Sequence, residues 1–503
     1  MTTLIADDKP RTGPWQRLMV EPRRPRAVRD LHKGYLLAVA AVCVGAFMGQ
    51  LDASIVTLAL PSLERSFHAG VGAVSWVGLS YLLVLVATVA AVGRFADMVG
   101  RKLLYLYGFA VFVAGSVLCS TATSLVMLDC FRAFQALGAA MLQANSVAII
   151  ALAVPRRRLG RALGAQGAAQ ALGLALGPSV GGLLLAAGGW RLLFLVNVPI
   201  GLVGMLAALL FVPRSRQLQV RVNFDWPGFS LFFPAVAALV FAVSEGDRLG
   251  WTSPAMAALL GGTALLVAAF VVRERRCRAP MIDGGLFRRR RFTAGVSSSL
   301  LAFLVMFGVL VVVPFYLERA IAYGTARTGL ELMVMPLALG LVAPFSGRLT
   351  DALGPRLPSV AGLGLAAAGL VTLGALRPST VGFLVLLAVV GAGFGLFISP
   401  NNAGIMAAVP ADQSGLASGL LNMSRGLGTA MGLAVASAVF SAAGGDGGAP
   451  LVVRQAFSYT LFVLAGVAVL AAVTAALAGR ARIPSDESPP PAERRAAMAG
   501  VVA

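Results

Sequence analysis

Three observations predict an all-α membrane protein whose fourteen transmembrane helices run as six, two and six. The chain of 503 residues is 58% hydrophobic and only 12% charged, with mean hydropathy +0.84, more apolar surface than a water-soluble core of this length needs. Fourteen apolar runs are each long enough to cross a hydrocarbon core, which takes roughly 20 residues of helix for about 30 Å. The first six and last six of these runs repeat one another at a constant offset.

The runs lie near 35–59, 72–92, 103–123, 125–150, 161–187, 192–212, 227–245, 254–272, 292–316, 327–347, 357–376, 380–408, 413–442 and 455–478. Helix is the expected form of each, because in lipid every backbone polar group has to find its partner within the segment. Merging the two runs between 227 and 272 would leave thirteen. The repeat, at 254 to 255 residues, is carried by Gly, Asp and Pro positions that hydrophobic composition does not explain. GRFADMVGRK at 93–102 returns as GRLTDALGPR at 347–356, Ala153-Val154-Pro155 as Ala408-Val409-Pro410, and Gly173 and Gly177 as Gly428 and Gly432. The organisation read from this is a tail at 1–33, a six-helix bundle at 34–213, a two-helix insert with a basic loop at 214–291, a second six-helix bundle at 292–479 and a tail at 480–503. Both tails are rich in Pro, Arg and acidic residues and read as disordered. Parallel six-helix halves are a transporter architecture with the substrate site between them; the insert is expected beside the bundle, outside the transport path.

A formal net charge of +20 would suggest nucleic acid in a soluble protein, but its distribution follows the membrane. Of the 41 Lys and Arg, 32 fall in the tails and alternate loops of one side and 7 in the loops of the other, leaving Arg132 and Arg425 inside helices. The positive-inside rule therefore places both termini in the cytoplasm of a cell whose inner membrane holds the protein, and supports an even number of spans. The run after Lys33 begins too far in, and lacks the small-residue pattern, for a cleaved signal. Cys43, Cys119, Cys130 and Cys277 show no paired or metal-ligand spacing.

Five motifs stand in order along the chain. LDASIVTLALP occupies 51–61, and GRFADMVGRK has Gly93, Asp97, Gly100, Arg101 and Lys102 on a tight turn. RAFQALGAA includes Arg132, Gln135 and Gly138. GLALGPSVGG at 173–182 spaces Gly173, Gly177 and Gly181 four apart, with Pro178 and Gly182 beside them, and WRLLFLVNVPIG fills 190–201. Together they resemble the major facilitator superfamily, specifically its fourteen-helix drug:proton antiporter branch, over residues 35–478. The sequence departs from the family pattern at Phe95, Met98 and Ala136. The resemblance implies a latch in which Asp97 and Arg101 hold the halves together on the cytoplasmic side, with Arg425, at the start of helix 13, as the partner Asp97 would reach. A solvated turn whose charges only set topology is the plainer reading. For the Gly173–Gly182 segment it implies an exporter's element that seals or hinges the interface between the halves; close packing with a bend at Pro178 follows from the residues themselves.

Ionisable groups inside a bilayer are costly and commonly functional. Asp52 lies nine residues before Pro61, about 13 Å down at 1.5 Å per residue, and Arg132 eight residues after Ser124, about 12 Å down. Their depths match, and the resemblance puts both helices on the central cavity. A carboxylate there whose water and neighbours change with conformation can take a proton on one side and release it on the other. Glu331 is a shallower candidate, or else a surface carboxylate paired with Arg327. Gln50, Gln135 and Asn145 are polar candidates for the cavity wall. Trp190, Arg191 and Asn197 read as an anchor at the membrane surface.

These readings converge on proton-coupled export of a small lipophilic compound, with uptake, or export of one endogenous metabolite, as the rival. The partners are then the small-molecule substrate, protons and membrane lipid. No nucleic acid, metal or cofactor is expected, and the chain is taken as a monomer. An enzyme would need a nucleophile, metal cluster or paired acids in register; none is visible, and His32 and His68 lie outside the spans.

Overall fold

The structure, a computed structural model, describes residues 21, 22, 24, 25, 34–69, 71–215, 224–250, 252–277, 280–376, 379–445 and 449–478. Fourteen long helices hold nearly all of them. These are α1 (Gly34–Phe67), α2 (Trp76–Val99), α3 (Arg101–Thr121), α4 (Leu125–Ala153), α5 (Leu159–Gly188) and α6, in two pieces (Trp190–Leu195 and Asn197–Phe211). Then come α7 (Trp226–Leu249), α8 (Pro254–Arg276), α9 (Arg290–Arg319) and α10, again in two pieces (Thr325–Leu332 and Val334–Leu353). The series ends with α11 (Arg356–Ala375), α12 (Thr380–Ala407), α13 (Ser414–Ala442) and α14 (Pro450–Leu477). Every apolar run of the sequence is a helix here. Thirteen are long and apolar enough to span a membrane as they stand, and α5 is the fourteenth, bent by 44° between Gly177 and Ser179. The intervening Pro178 has no N–H to close its turn; its side chain lies outside the described residues.

Leu183, Leu265, Leu341 and Val381 are among the large apolar side chains pointing outward, as expected of a surface solvated by lipid. Ser124, Ser253 and Ser379 cap the starts of α4, α8 and α12 through their hydroxyls. The tight turns α2–α3 and α10–α11 each pivot on a glycine with positive φ, Gly100 at 123° and Gly354 at 79°, a backbone region closed to most side chains. The repeat in sequence is thus a repeat in conformation. These two turns mark one end of the bundle, its basic end.

One core, around Tyr105, Phe109 and Phe112, takes in residues of α1–α8 and extends to Phe292 of α9, Ile405 of α12 and Leu416 of α13, and a second joins α9–α14 around Phe394, Phe397 and Leu461. The two sets of helices meet along two seams, α2 with α13 and α5 with α10. Both seams are glycine-lined: any Cβ on Gly93 would strike the Gly415 carbonyl, and any on Gly347 that of Gly160. Backbones can approach this closely only where side chains are absent.

Helices α7 and α8 pair with each other, and α7 lies against α2 and α13, with Trp76 and Phe241 rings 5.6 Å apart. The insert therefore covers the outside of one seam. Asp225 caps α7 by accepting the Gly228 N–H at 3.1 Å and receives Arg273 of α8 at 2.8 Å. Burial alone would raise the Asp225 pKa, but the hydrogen bonds from Arg273 and Gly228 and the Arg273 charge outweigh it and hold the carboxyl below the usual value.

The tails read as disordered lie outside the described residues, except around Glu21. That residue is buried: its carboxylate accepts the Lys102 backbone N–H at 3.1 Å and the Ser215 N–H at 2.6 Å. An acid is well placed at the start of α3, where free N–H groups and the helix dipole favour negative charge.

Candidate functional site

The first turns of α4 place Arg132 and Gln135 on one inward face, three residues apart, and the start of the second piece of α6 adds Asn197. All three side chains meet Asp52 of α1. Arg132 Nη1 donates to Asp52 Oδ2 at 2.8 Å, and Oδ1 accepts Gln135 Nε2 at 3.1 Å and Asn197 Nδ2 at 2.7 Å. Arg132 also donates to Gln135 Oε1 at 2.6 Å and to the Val77 carbonyl at 3.2 Å, and its guanidinium lies 4.1 Å from the Tyr81 ring centre. Gln135 in turn donates to Ser116 of α3 at 2.8 Å. Asp52 and Arg132 are each 1% exposed. A buried ion pair survives in such a place only when its remaining hydrogen-bonding capacity is met, and here one carboxylate draws donors from α4 and α6. Protonating it would remove the charge that α1, α4 and α6 share.

At the basic end Asp97, fully buried, accepts the N–H groups of Gly415 at 2.8 Å and Leu416 at 2.9 Å, the first turn of α13. Arg101 supports it from the same side of the seam at 2.6 Å and reaches across to the Ala411 carbonyl at 2.8 Å. Asp351, the repeat of Asp97, does the same at the start of α5: it accepts Gly160 N–H at 2.8 Å and Arg161 N–H at 3.3 Å. Each half therefore offers a carboxylate to the exposed N–H groups of a helix start in the other half. Lys102 donates instead to the Leu209 carbonyl of α6 at 2.8 Å.

The Major Facilitator Superfamily profile matches residues 42–318 and again 295–502. The chain belongs to the major facilitator superfamily. Its relatives place it in the drug-efflux branch. It is 36% identical over 414 residues, 82% of this chain and 77% of the other, to the multidrug resistance protein Stp of Mycobacterium tuberculosis. It is also 33% identical, over 80% of this chain and 88% of the other, to the riboflavin transporter RibZ of Clostridioides difficile. A crystal structure of the human organic anion transporter MFSD10 superposes with a TM-score of 0.65 over 88% of this chain and 99% of that one; at 16% identity this likeness speaks for the fold alone. The protein is a multi-pass membrane transporter of the superfamily and not an enzyme.

Within this major facilitator fold, several site residues stand elsewhere than their motifs implied. Arg425 is not the partner of Asp97. It lies eleven residues into α13, and Nη2 donates to Asn402 Oδ1 of α12. Backbone N–H groups, free at a helix start, fill the place that a basic side chain was expected to take. Gly173 and Gly177 pack on α1, against the Phe47 carbonyl and Ser54, and not across a seam, while Gly181 makes only ordinary contact with Ile55 and Gly182 none within 4 Å. The opposite face of α5, with Gly160 and Gly164, is the one that meets α10. Asn197 and Trp190 are buried, so they do not anchor to headgroups. Trp190 packs on Phe67 and Phe194, and Arg191 alone of the three is exposed.

Glu331 is buried beside the break in α10 and receives Arg327 Nε at 3.1 Å, while its Oε2 has no partner among the described residues. Its hydrogen bonds do not join the Asp52 network. Gln50 is half-buried with its Cβ beside Gly173. Asn145 is buried and donates to the Met141 carbonyl of its own helix at 2.8 Å, and its Oδ1 has no partner among the described residues. Residues missed from sequence are Asn197, Tyr81 and Ser116 around Asp52, and Asp129, a half-buried carboxylate one turn before Arg132. A lone Asn or Asp in an apolar run was the available signal.

Proposed function

We propose that the protein is a proton-coupled exporter of small lipophilic compounds, drugs or antibiotics, working by alternating access. In this reading the two six-helix halves, 34–213 and 292–479, rock about the substrate site as a monomer, with no cofactor beyond the proton gradient. The basic end and both termini face the cytoplasm of the inner membrane, so that the closed latches at Asp97 and Asp351 make this the outward-facing arrangement. The observation that carries the proposal is the sealed Asp52 carboxylate, held by donors from α4 and α6. A proton entering there loosens one set of helix contacts, and conformational change gives it back on the other side. One charge crossing 100 mV is worth about 2.3 kcal/mol, roughly a fortyfold gradient, so a single proton per cycle is useful.

The relative named for multidrug resistance supports efflux; the relative named a riboflavin transporter supports the second reading, movement of one endogenous metabolite. Expression in a pump-deficient bacterial host separates them. Cells should hold less of a fluorescent lipophilic dye than vector controls, and a protonophore should abolish the difference. Greater accumulation would favour uptake, and indifference to the protonophore would remove proton coupling.

A further inference from the structure

Neither the Asp52 network nor the latches employ Arg425. At 1.5 Å per residue it stands about 16 Å from the start of α13, close to the middle of a hydrocarbon core about 30 Å thick. The residue is 6% exposed. One nitrogen donates to Asn402 and the guanidinium lies 5.0 Å from the centre of the Phe303 ring of α9, while Nε is buried without a hydrogen-bond partner among the described residues. Arg132, the other guanidinium at such depth, has Asp52. Among the described residues no carboxylate pairs with Arg425.

Arg425 itself turns toward α9 and α12 of its own half, but its neighbours on α13 lie on the seam between the halves. Asn422, one turn earlier, donates to the Gln143 carbonyl of α4 at 2.9 Å, and Gly426, the next residue, abuts Val86 of α2. Ser418, two turns earlier on the same stripe, is buried with its hydroxyl unpartnered among the described residues. An unpaired guanidinium in a membrane interior is expensive and is commonly found where it faces a function. Its five donors form a planar fork that suits a carboxylate or sulfonate, and one amide oxygen and one ring face leave most of that capacity unused. Phe303, with the Phe307 ring stacked 6.2 Å away, supplies an aromatic wall beside it.

We propose that Arg425, Asn402 and Phe303 form a recognition site for the acidic group of the transported compound, so that the preferred substrates are anionic aromatic amphiphiles and not lipophilic cations. This rests on the export reading and names its substrate class. A bound anion would complete the pairing that the protein itself leaves open, whereas a cation would meet like charge at the same seam.

The test is equilibrium binding to the full-length protein in lipid nanodiscs, with empty nanodiscs as the blank. The probes are anilinonaphthalenesulfonate, its neutral analogue anilinonaphthalene and cationic rhodamine. The wild type should bind the sulfonate about tenfold tighter than the neutral analogue, a difference of about 1.4 kcal/mol. Arg425→Gln should erase that preference and leave the neutral analogue's affinity unchanged, and Arg425→Lys should keep most of it. Equal wild-type affinities, tighter binding of rhodamine, or an Arg425→Gln variant that weakens all probes alike would overturn the site. Proton-driven transport of the neutral analogue in vesicles reads the export proposal separately. Transport without an Arg425-dependent preference sinks the anion site alone; the preference without transport of either probe sinks export alone.

Discussion

Asp52 was legible as half of a buried pair because two depths could be counted from Pro61 and Ser124, and a lone charge at such depth needs a partner. The third donor was not legible. Asn197 follows the Trp190-Arg191 pair, a sequence that resembles a membrane-surface anchor, and only the fold shows α6 restarting at Asn197 with its amide aimed at Asp52. A hydrogen bond to a charged group contributes about 1.5–3 kcal/mol, so Asn197→Ala should lower the melting temperature in detergent and slow coupled transport by about tenfold or more. Unchanged melting and transport would remove Asn197 from the network.

At the scale of elements, the spans were readable from hydrophobic run length alone, as was the bend of α5 at Pro178. What the glycines of α5 touch was not, because a GxxxG stripe states that something approaches closely without naming it. In the structure, Ser54 of α1 donates to the Leu174 carbonyl at 2.9 Å in the space Gly177 leaves. Gly177→Leu would force α1 and α5 apart, an overpacking cost of about 1–3 kcal/mol, and should abolish transport while the protein still inserts in the membrane; wild-type transport at equal abundance would contradict this. The α7–α8 hairpin is tied at Asp225. Because folding depresses this pKa, the stabilisation it contributes is present above the ordinary Asp value, about 3.9, and fades as pH falls through the lower folded value. Asp225→Asn should therefore melt lower than wild type at neutral pH and match it in strong acid, and an equal gap at both pH values would refute the linkage.

For the whole molecule, the internal repeat led to the expectation of two similar sets of six helices, and in the structure the repeated residues Asp97 and Asp351 make matching contacts, with Gly415 and with Gly160. The latch partners stayed hidden for a physical reason: the acceptor is a side chain, which sequence displays, but the donors are backbone N–H groups at helix starts, which no residue letter records. The first latch has a buried Arg101 behind it, whereas Arg161 at the second is largely exposed. Asp97→Asn should therefore slow turnover by about tenfold, as loss of a charge-assisted bond implies, with substrate binding preserved, and Asp351→Asn should slow it less. Equal effects, or loss of binding in Asp97→Asn, would argue against a latch. The central claim is that Asp52 couples proton entry to helix rearrangement, and it is most directly tested in proteoliposomes by uphill transport of a lipophilic dye under an imposed pH gradient, at matched protein levels. Asp52→Asn keeps the shape of the side chain but cannot exchange a proton near neutral pH, so it should still bind dye yet fail to concentrate it. Uphill transport by Asp52→Asn with wild-type proton dependence would contradict the account and turn attention to Glu331.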